Sequence, residues 1–357
     1  MRGPVRVAVA MSGGVDSSVA AALLIDQGYD VFGLMLRLWD PAFPGAAANR
    51  CCSPRDMASA RAVAAQLGFP FYVLDSQKPF RDIVVEGLIR GYANGVTPNP
   101  CIACNREIRW GTLLQHALTM RARFLATGHY ARVRHHDASP QLLRAADHAK
   151  DQSYVLSALT AEQLSHALFP LGEMSKHQVR EFARARGLPV ADRPDSQDLC
   201  FLGGTDYRDF LRAQTPAIER PGDIVDVQGR LLGRHRGLYN YTIGQRKGIG
   251  VPSAEPLYVV EKDSSHNRLV VGPRQALGRR GFVVAGVNWI AGGPPSPGQE
   301  VLVRVRYKAP EVPAVLRTAS AGQVEVEMAQ ALPDVTPGQQ SVFYVGEVCL
   351  GGGVIVA

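Results

Sequence analysis

The chain has 357 residues, 46% of them hydrophobic and 20% charged, with a net charge of +7. That length exceeds what one core ordinarily organises and predicts two or three domains, and the lack of any apolar run of spanning length argues against a membrane protein. The basic excess, mostly arginine, suits a polyanionic partner such as nucleic acid, although genomic base composition would produce it equally well.

Residues 5–11 read as a first strand. The chain enters it straight from Met1, without the charged, apolar and small-residue regions of a secretory signal, which predicts a cytoplasmic location. A helix follows at 16–27, closed by Gly28, then a strand at 31–36, a helix at 56–67 and a strand at 71–74. A helix at 108–120 and a strand at 124–127 repeat the unit. Short β-branched runs alternating with longer helical ones predict an α/β fold built on a doubly wound parallel sheet. Residues 160–187 read as helical. Beyond about Asp206 the pattern changes to short alternating segments at 257–260, 269–271, 282–284, 301–307 and 324–328, separated by Gly, Pro, Asn and Asp. That spacing predicts a small mixed central domain followed by a C-terminal β-barrel, with domains at 1–205, 206–275 and 276–357. The Gly-Gly-Pro-Pro-Ser-Pro-Gly stretch at 292–298, flanked by strands, reads as a loop inside the last domain.

Ser12-Gly13-Gly14-Val15-Asp16-Ser17-Ser18 lies where the first strand turns into the first helix. Two glycines let the backbone approach an anion, the free amides at the helix start point towards it, and Ser12 and Ser17 add hydroxyls. The stretch lacks the Gly-Lys-Ser/Thr ending of a Walker A loop and the spacing of the dinucleotide fingerprint. A plain turn capped by Asp16 or Ser17 rarely needs so much glycine. The heptad resembles the pyrophosphate loop of the N-type ATP pyrophosphatases, which split ATP into AMP and pyrophosphate to adenylate a substrate. The resemblance implies ATP with Mg²⁺, bound by that loop from Ser12 to Ser17 and by Ala10 and Met11 before it. Ligands of doubly wound sheets bind beyond the carboxyl ends of the strands, which adds Leu36 and Gly128 as candidates for the adenosine pocket. Core packing is the competing reading for Leu36.

Six cysteines in a chain of this kind suggest reactive or metal-bound thiols rather than a disulfide framework. Asn99-Pro100-Cys101-Ile102-Ala103-Cys104-Asn105-Arg106 places two of them three apart at a helix entrance, where the helix N-terminus and Arg106 would stabilise a thiolate. Zinc sites, redox pairs and iron–sulfur ligands share this spacing, but the second ligand pair of a structural zinc site is missing from the sequence. Cys200 follows Asp195-Ser196-Gln197-Asp198-Leu199. Cys51 and Cys52 are adjacent and cannot readily pair with each other, and Cys349 in an apolar strand reads as core.

Thr97-Pro98-Asn99-Pro100 with Cys104, Lys150-Asp151-Gln152-Ser153-Tyr154, Asp195-Ser196 with Cys200-Phe201, Gly244-Gln245-Arg246-Lys247-Gly248, and Gly346-Glu347-Val348-Cys349-Leu350-Gly351-Gly352-Gly353 resemble the motifs of the tRNA-specific 2-thiouridylases, in family order along residues 5–356. The resemblance implies ATP-dependent 2-thiolation of the wobble uridine, position 34, of Lys-, Glu- and Gln-type tRNAs. Adenylation turns the C2 oxygen into a leaving group and sulfur displaces AMP. It further implies that Cys200 carries a persulfide and that Cys104 is the nucleophile, the two closing a disulfide as sulfur is released. A cysteine desulfurase or sulfur-carrier protein is the implied donor. Asn99, Pro100 and Cys101 would hold the target base everted from its stack. Lys150, Asp151 and Gln152 would touch tRNA, as would Arg306 and Tyr307 in the barrel, with Gln245, Arg246 and Lys247 gripping the backbone from a central hairpin.

Cys101 departs from the family pattern, since many members carry aspartate there. Cys101, Cys104 and Cys200 are the right number to hold a [4Fe-4S] cluster with one open iron, so delivery of sulfide by a cluster stands open beside the persulfide route. Two further readings stand beside thiolation. A small-molecule ATP pyrophosphatase, such as an amidating synthetase, would leave the cysteines and the basic β region unused. A noncatalytic RNA-binding protein on the same fold would be indifferent to loop and thiol substitutions.

Overall fold

Val7, Ala8 and Val9 are wholly buried in strand β1 (Arg6–Ala10), as continuous apolar runs are when helices cover both faces of a parallel sheet. The computed structural model describes residues 3–39, 53–135, 139–194, 199–290, 292–296, 298–318 and 322–356. After β1 come α1 (Val15–Asp26), β2 (Asp30–Arg37), α2 (Pro54–Leu67) and β3 (Phe71–Asp75). Gly28 at φ +82° turns the chain out of α1, and Gly68 at φ +75° ends α2. Two longer helical stretches follow, α3 over 77–93 and α4 over 100–119, each widened to π-type turns in its middle. Next are β4 (Phe124–Ala126), β5 (Arg132–Arg134), β6 (Gln141–Leu143), β7 (Ala167–Leu168), α5 (Lys176–Ala185) and α6 (Tyr207–Gln214).

The first sheet runs β3-β2-β1-β4-β7, all parallel. Chain order reverses between β1 and β4, which makes the carboxyl ends of those two strands the switch point where ligands of such sheets bind. Strand β7 falls within 160–187, a region whose sequence reads as helical. Its two residues pair with Leu125 and Ala126, a run too short to leave a period in the sequence. Helix α3 has no counterpart among the predicted elements either.

The central sheet comprises β8 (Gly222–Asp226), β9 (Leu231–His235), β10 (Tyr258–Asp263) and β11 (Arg268–Gly272), in the order β10-β11-β8-β9. It covers its own small core of Ile224, Leu238, Tyr241, Val259, Leu269 and Val271. Gln245, Arg246 and Lys247 lie in an irregular loop ahead of β10, not in the hairpin that the sequence suggested. Backbone bonds from Gly244 to Val259 and from Val259 to Gln245 lay this loop along β10.

Six antiparallel strands close the barrel: β12 (Arg279–Trp289), β13 (Glu300–Arg304), β14 (Val312–Thr318), β15 (Gln323–Leu332), β16 (Gln340–Val345) and β17 (Val348–Ile355). Their order is β12-β15-β14-β13-β16-β17, and β17 pairs back to β12. Closure removes the exposed edges that an open sheet would carry. The 292–298 stretch does connect β12 to β13 inside this unit, and Cys349 is buried in β17 as core. Strand β13 ends at Arg304, so Arg306 and Tyr307 stand in a turn closed by an Ala309-to-Arg306 bond and not on the predicted 301–307 strand. Ahead of the residues that pair with β12, the start of β17 takes β6 as a further partner, with Cys349 opposite Leu142, which joins the barrel to the first domain. Among the described residues no helix is long and apolar enough to cross a membrane.

Candidate active site

At the end of β1 the chain needs glycine. Gly13 holds φ +75°, and a Cβ on it would stand 2.4 Å from the Asp56 carbonyl oxygen. Gly14 is the extended N-cap of α1 and no side chain caps that helix, so its leading amides face the switch point as an anion cradle. Ser17 and Ser18 are buried and both donate to the Gly14 carbonyl, at 3.2 and 2.9 Å, while Ser17 Oγ accepts from the Ser12 amide at 3.2 Å. Ser17 therefore shapes the loop from within, and Ser12 supplies the exposed hydroxyl. Met11 and Val15 are buried beneath the loop and Ala10 is partly buried.

Both acidic side chains at the loop are held by cations. Lys176 Nζ reaches the two Asp16 oxygens at 2.6 and 2.8 Å, with Tyr130 donating to the same carboxylate at 2.9 Å. Arg193 bonds Asp56 at 2.6 Å and also the Gly13 carbonyl. Sequence reasoning missed Lys176 and Arg193, which fold in from more than a hundred residues away without a local signal. Leu36, near the carboxyl end of β2, has its side chain in the core. Gly128, just past β4, lies against the first turn of α1: a Cβ there would stand 2.7 Å from the Ser17 amide nitrogen. Gly128→Ala is accordingly expected to displace that turn. Overpacking of this kind costs about 1–3 kcal/mol, so ATP affinity measured by calorimetry should fall by about tenfold or more.

The thiols occupy the opening of α4. Asn99 caps it by accepting from the Cys101 amide at 3.1 Å, and Pro100 takes the first helical position, where a missing N–H costs nothing. Burial pushes the Cys101 thiol up to about 11, and the neighbouring Cys200 adds to this, against a smaller opposing pull from Arg109. The expected thiolate stabilised by Arg106 is thus not found at Cys101. Arg106 is paired with Glu107 at 3.1 Å, both about half exposed, and the cation facing Cys101 is Arg109. Arg109 meets Asn105 Oδ1 at 3.4 Å and His129 Nε2 at 3.3 Å, and His129 Nδ1 meets Thr127 Oγ1 at 2.7 Å. Burial, reinforced by Arg109, drives His129 down to about 3, so the ring is neutral. A guanidinium only donates, so Nε2 accepts and Nδ1 carries the proton to Thr127. Among the described residues no three His, Cys, Asp or Glu side chains are grouped as metal ligands. Cys101, Cys104 and Cys200 are thus not grouped as ligands in this arrangement.

Cys104 is buried and Cys200 is half-buried. Leu199, Leu202 and residues 204–207, beside Cys200, line a cavity of about 430 Å³ whose other walls include Leu88, Tyr92, Pro98 and Pro100. The two thiol-bearing segments therefore border one cavity of small-ligand size. Cys51, Cys52 and residues 195–198 lie outside the described residues.

Of the expected tRNA contacts, Asp151 does not face outward. It is buried and accepts from the Ala145 and Ser153 amides and from Ser153 Oγ, at 3.1, 3.2 and 2.8 Å, because the joint between barrel and first domain closes over it. Gln152 Oε1 accepts from the Tyr130 amide at 2.9 Å, and Lys150 is half-buried. Arg306 pairs with Asp334 at 3.0 Å, and the Tyr307 ring lies 5.9 Å from that of Tyr154. Burial raises Tyr307 first, with Asp151 and then Cys101 acting in the same direction. This turn of the barrel therefore stands at the mouth of the thiol site.

A glycine-rich loop at the switch point of a parallel sheet, a thiol pair at the opening of α4 and a closed barrel define an α/β protein with the sheet architecture of nucleotide binders. Residues 5–204 match the family described as the tRNA methyl transferase HUP domain, 208–273 its PRC-barrel domain, and 279–355 the aminomethyltransferase β-barrel domain. The chain is 47% identical to the tRNA-specific 2-thiouridylase MnmA of Magnetococcus marinus over the full length of both. It is 48% identical to that of Chloroflexus aurantiacus, covering 98% of each chain, and 50% identical to that of a Bradyrhizobium species, covering 98% of this chain and 90% of the relative. The chain belongs to the tRNA-specific 2-thiouridylase family.

Proposed function

We propose that the chain uses ATP to convert the wobble uridine, position 34, of Lys-, Glu- and Gln-type tRNAs to 2-thiouridine. The observation that carries this reading is the path from Cys101 through Arg109, His129 and Thr127 to Gly128, which rests on the first turn of the phosphate loop. On this reading nucleotide and thiol sites are parts of one active centre. The amides of Gly14 and the first turn of α1 bind the phosphates, and Mg²⁺ arrives with the nucleotide, since Asp16 and Asp56 are already held by Lys176 and Arg193. Residues 1–205 perform the chemistry, 206–275 connect, and 276–357 present the tRNA, with Tyr307 and Arg306 joining Lys150 and Gln152 at the site and Asp151 supporting them from behind.

The uracil C2 oxygen attacks the α-phosphorus and pyrophosphate leaves. The terminal sulfur of a Cys200 persulfide attacks C2, AMP departs, and the base is left bonded to Cys200 through a disulfide. Cys104 thiolate then attacks Cys200 Sγ, and the electron pair of the broken S–S bond goes to the uracil sulfur. The products are 2-thiouridine and a Cys104–Cys200 disulfide, which a dithiol reductant returns to thiols. The persulfide comes from a cysteine desulfurase or a sulfur-carrier protein. Incubation with ATP, Mg²⁺, a cysteine desulfurase with cysteine, and unmodified tRNA should yield 2-thiouridine by mass spectrometry of digested RNA, together with AMP. AMP formation driven by a small metabolite, with tRNA ignored, would replace this reading with the amidating synthetase.

A further inference from the structure

All three domains meet on Thr97, two residues ahead of Asn99. Its hydroxyl accepts from Lys262 Nζ at 3.1 Å, and Lys262 lies on β10 of the central sheet. Its amide donates to the Pro337 carbonyl at 2.9 Å, and its own carbonyl accepts from Gln339 Nε2 at 2.7 Å, both from the barrel segment that leads into β16. Gly338, between them at φ +91°, brings the barrel backbone so close that a Cβ would stand 2.9 Å from the Thr97 nitrogen. Thr97 itself is buried.

Lys262 is an unusual choice for this place. Its ammonium sits 5.9 Å from the centre of the Tyr92 ring, a wall of the cavity beside Cys200. Burial pushes it down to about 8, and burial is the whole cause. A methionine of similar shape would avoid that desolvation, so stability alone does not account for a lysine here. The lysine does join a cavity wall, the base loop and the central domain through one group.

We propose that Lys262 and Gln339 are positioning residues that fix Thr97, and through it the Asn99–Cys101 loop, so that the seating of the central domain and barrel sets the place of the thiols. Its catalytic consequence rests on the thiolase reading, whereas its effect on thiol exposure does not. Cys101 alkylation by iodoacetamide, followed by peptide mass spectrometry on the full chain, therefore tests it first. Lys262→Met and Thr97→Val should each speed alkylation by about tenfold, and Thr97→Ser, which keeps the hydroxyl, should restore the wild-type rate. With tRNA, kcat should fall by about tenfold in the first two variants while KM stays within about threefold. The melting temperature of Lys262→Met should not drop, which separates positioning from structural support. Alkylation within about twofold of wild type in both Lys262→Met and Thr97→Val overturns the proposal; if one fails to fold, the other decides it. Faster alkylation in variants of a protein that makes no thiouridine would uphold the junction and remove the thiolase reading instead.

Discussion

Serine in place of Cys104 or of Cys200 is expected to abolish thiouridine formation, with turnover falling by about a thousandfold or more, while ATP binding at the phosphate loop is retained. A hydroxyl can neither carry a persulfide nor open one, so on the proposed route each thiol is indispensable to a different step. Because they act in sequence, the double variant should be no worse than either single one. Cys101 is the discriminating control. Burial holds its thiol at about 11, so at neutral pH it is protonated and unsuited to attack. Cys101→Ser should therefore retain activity within about tenfold of wild type, its effect confined to fit of the base. Thiouridine measured by mass spectrometry across the three single variants decides the matter. Equal loss in all three would overturn the persulfide route and restore delivery from a three-thiol centre.

The parts of this site that were legible in the sequence are those written in consecutive residues. The turn from β1 into α1 announces itself through Gly13, Gly14 and the apolar runs on either side, and the paired thiols through their own spacing. What escaped was built from residues distant in the chain. Lys176 and Arg193 reach the loop by folding back, and His129 reads as an ordinary histidine until Arg109 is seen against it. Arg106, adjacent in sequence to the thiols, was the expected cation there, but the turn of α4 carries it to solvent beside Glu107, and Arg109 is the cation that acts on Cys101. Two-residue β7 left no period, and α3 was interrupted by its π-type turn. Asp151 was recognised as part of a motif, but the sequence did not show that its carboxylate is buried and receives two amides and a hydroxyl.

The other large effect is expected at the joint between the first domain and the barrel, where Arg144→Met should lower stability by about 3–5 kcal/mol. The Arg144 side chain is 5% exposed and donates both terminal nitrogens to Glu311 on the barrel. Its Nε donates to the Gly346 carbonyl at 3.2 Å, and its guanidinium lies 3.9 Å from the centre of the Tyr344 ring. Arg304 joins Glu311 to Asp151, and Ser153 Oγ links Asp151 to the Tyr344 hydroxyl, so one buried network crosses the joint. Removing one member leaves a buried carboxylate short of its counter-charge, which costs more than the pair contributes. Lysine should not rescue the variant, since it cannot reproduce the planar fork. Burial pushes the Glu311 carboxyl up, but Arg144 and Arg304 outweigh it and hold the group below its ordinary range. The sign follows: this contribution is complete above the unfolded carboxylate value and disappears as pH falls through the folded one. Urea titrations at pH 7 and pH 4 should therefore show a wide gap between wild type and Arg144→Met that narrows in acid. A gap within about 0.5 kcal/mol at pH 7, the size of an ordinary surface substitution, would mean that the β6–β17 pairing and apolar packing hold the barrel without the network.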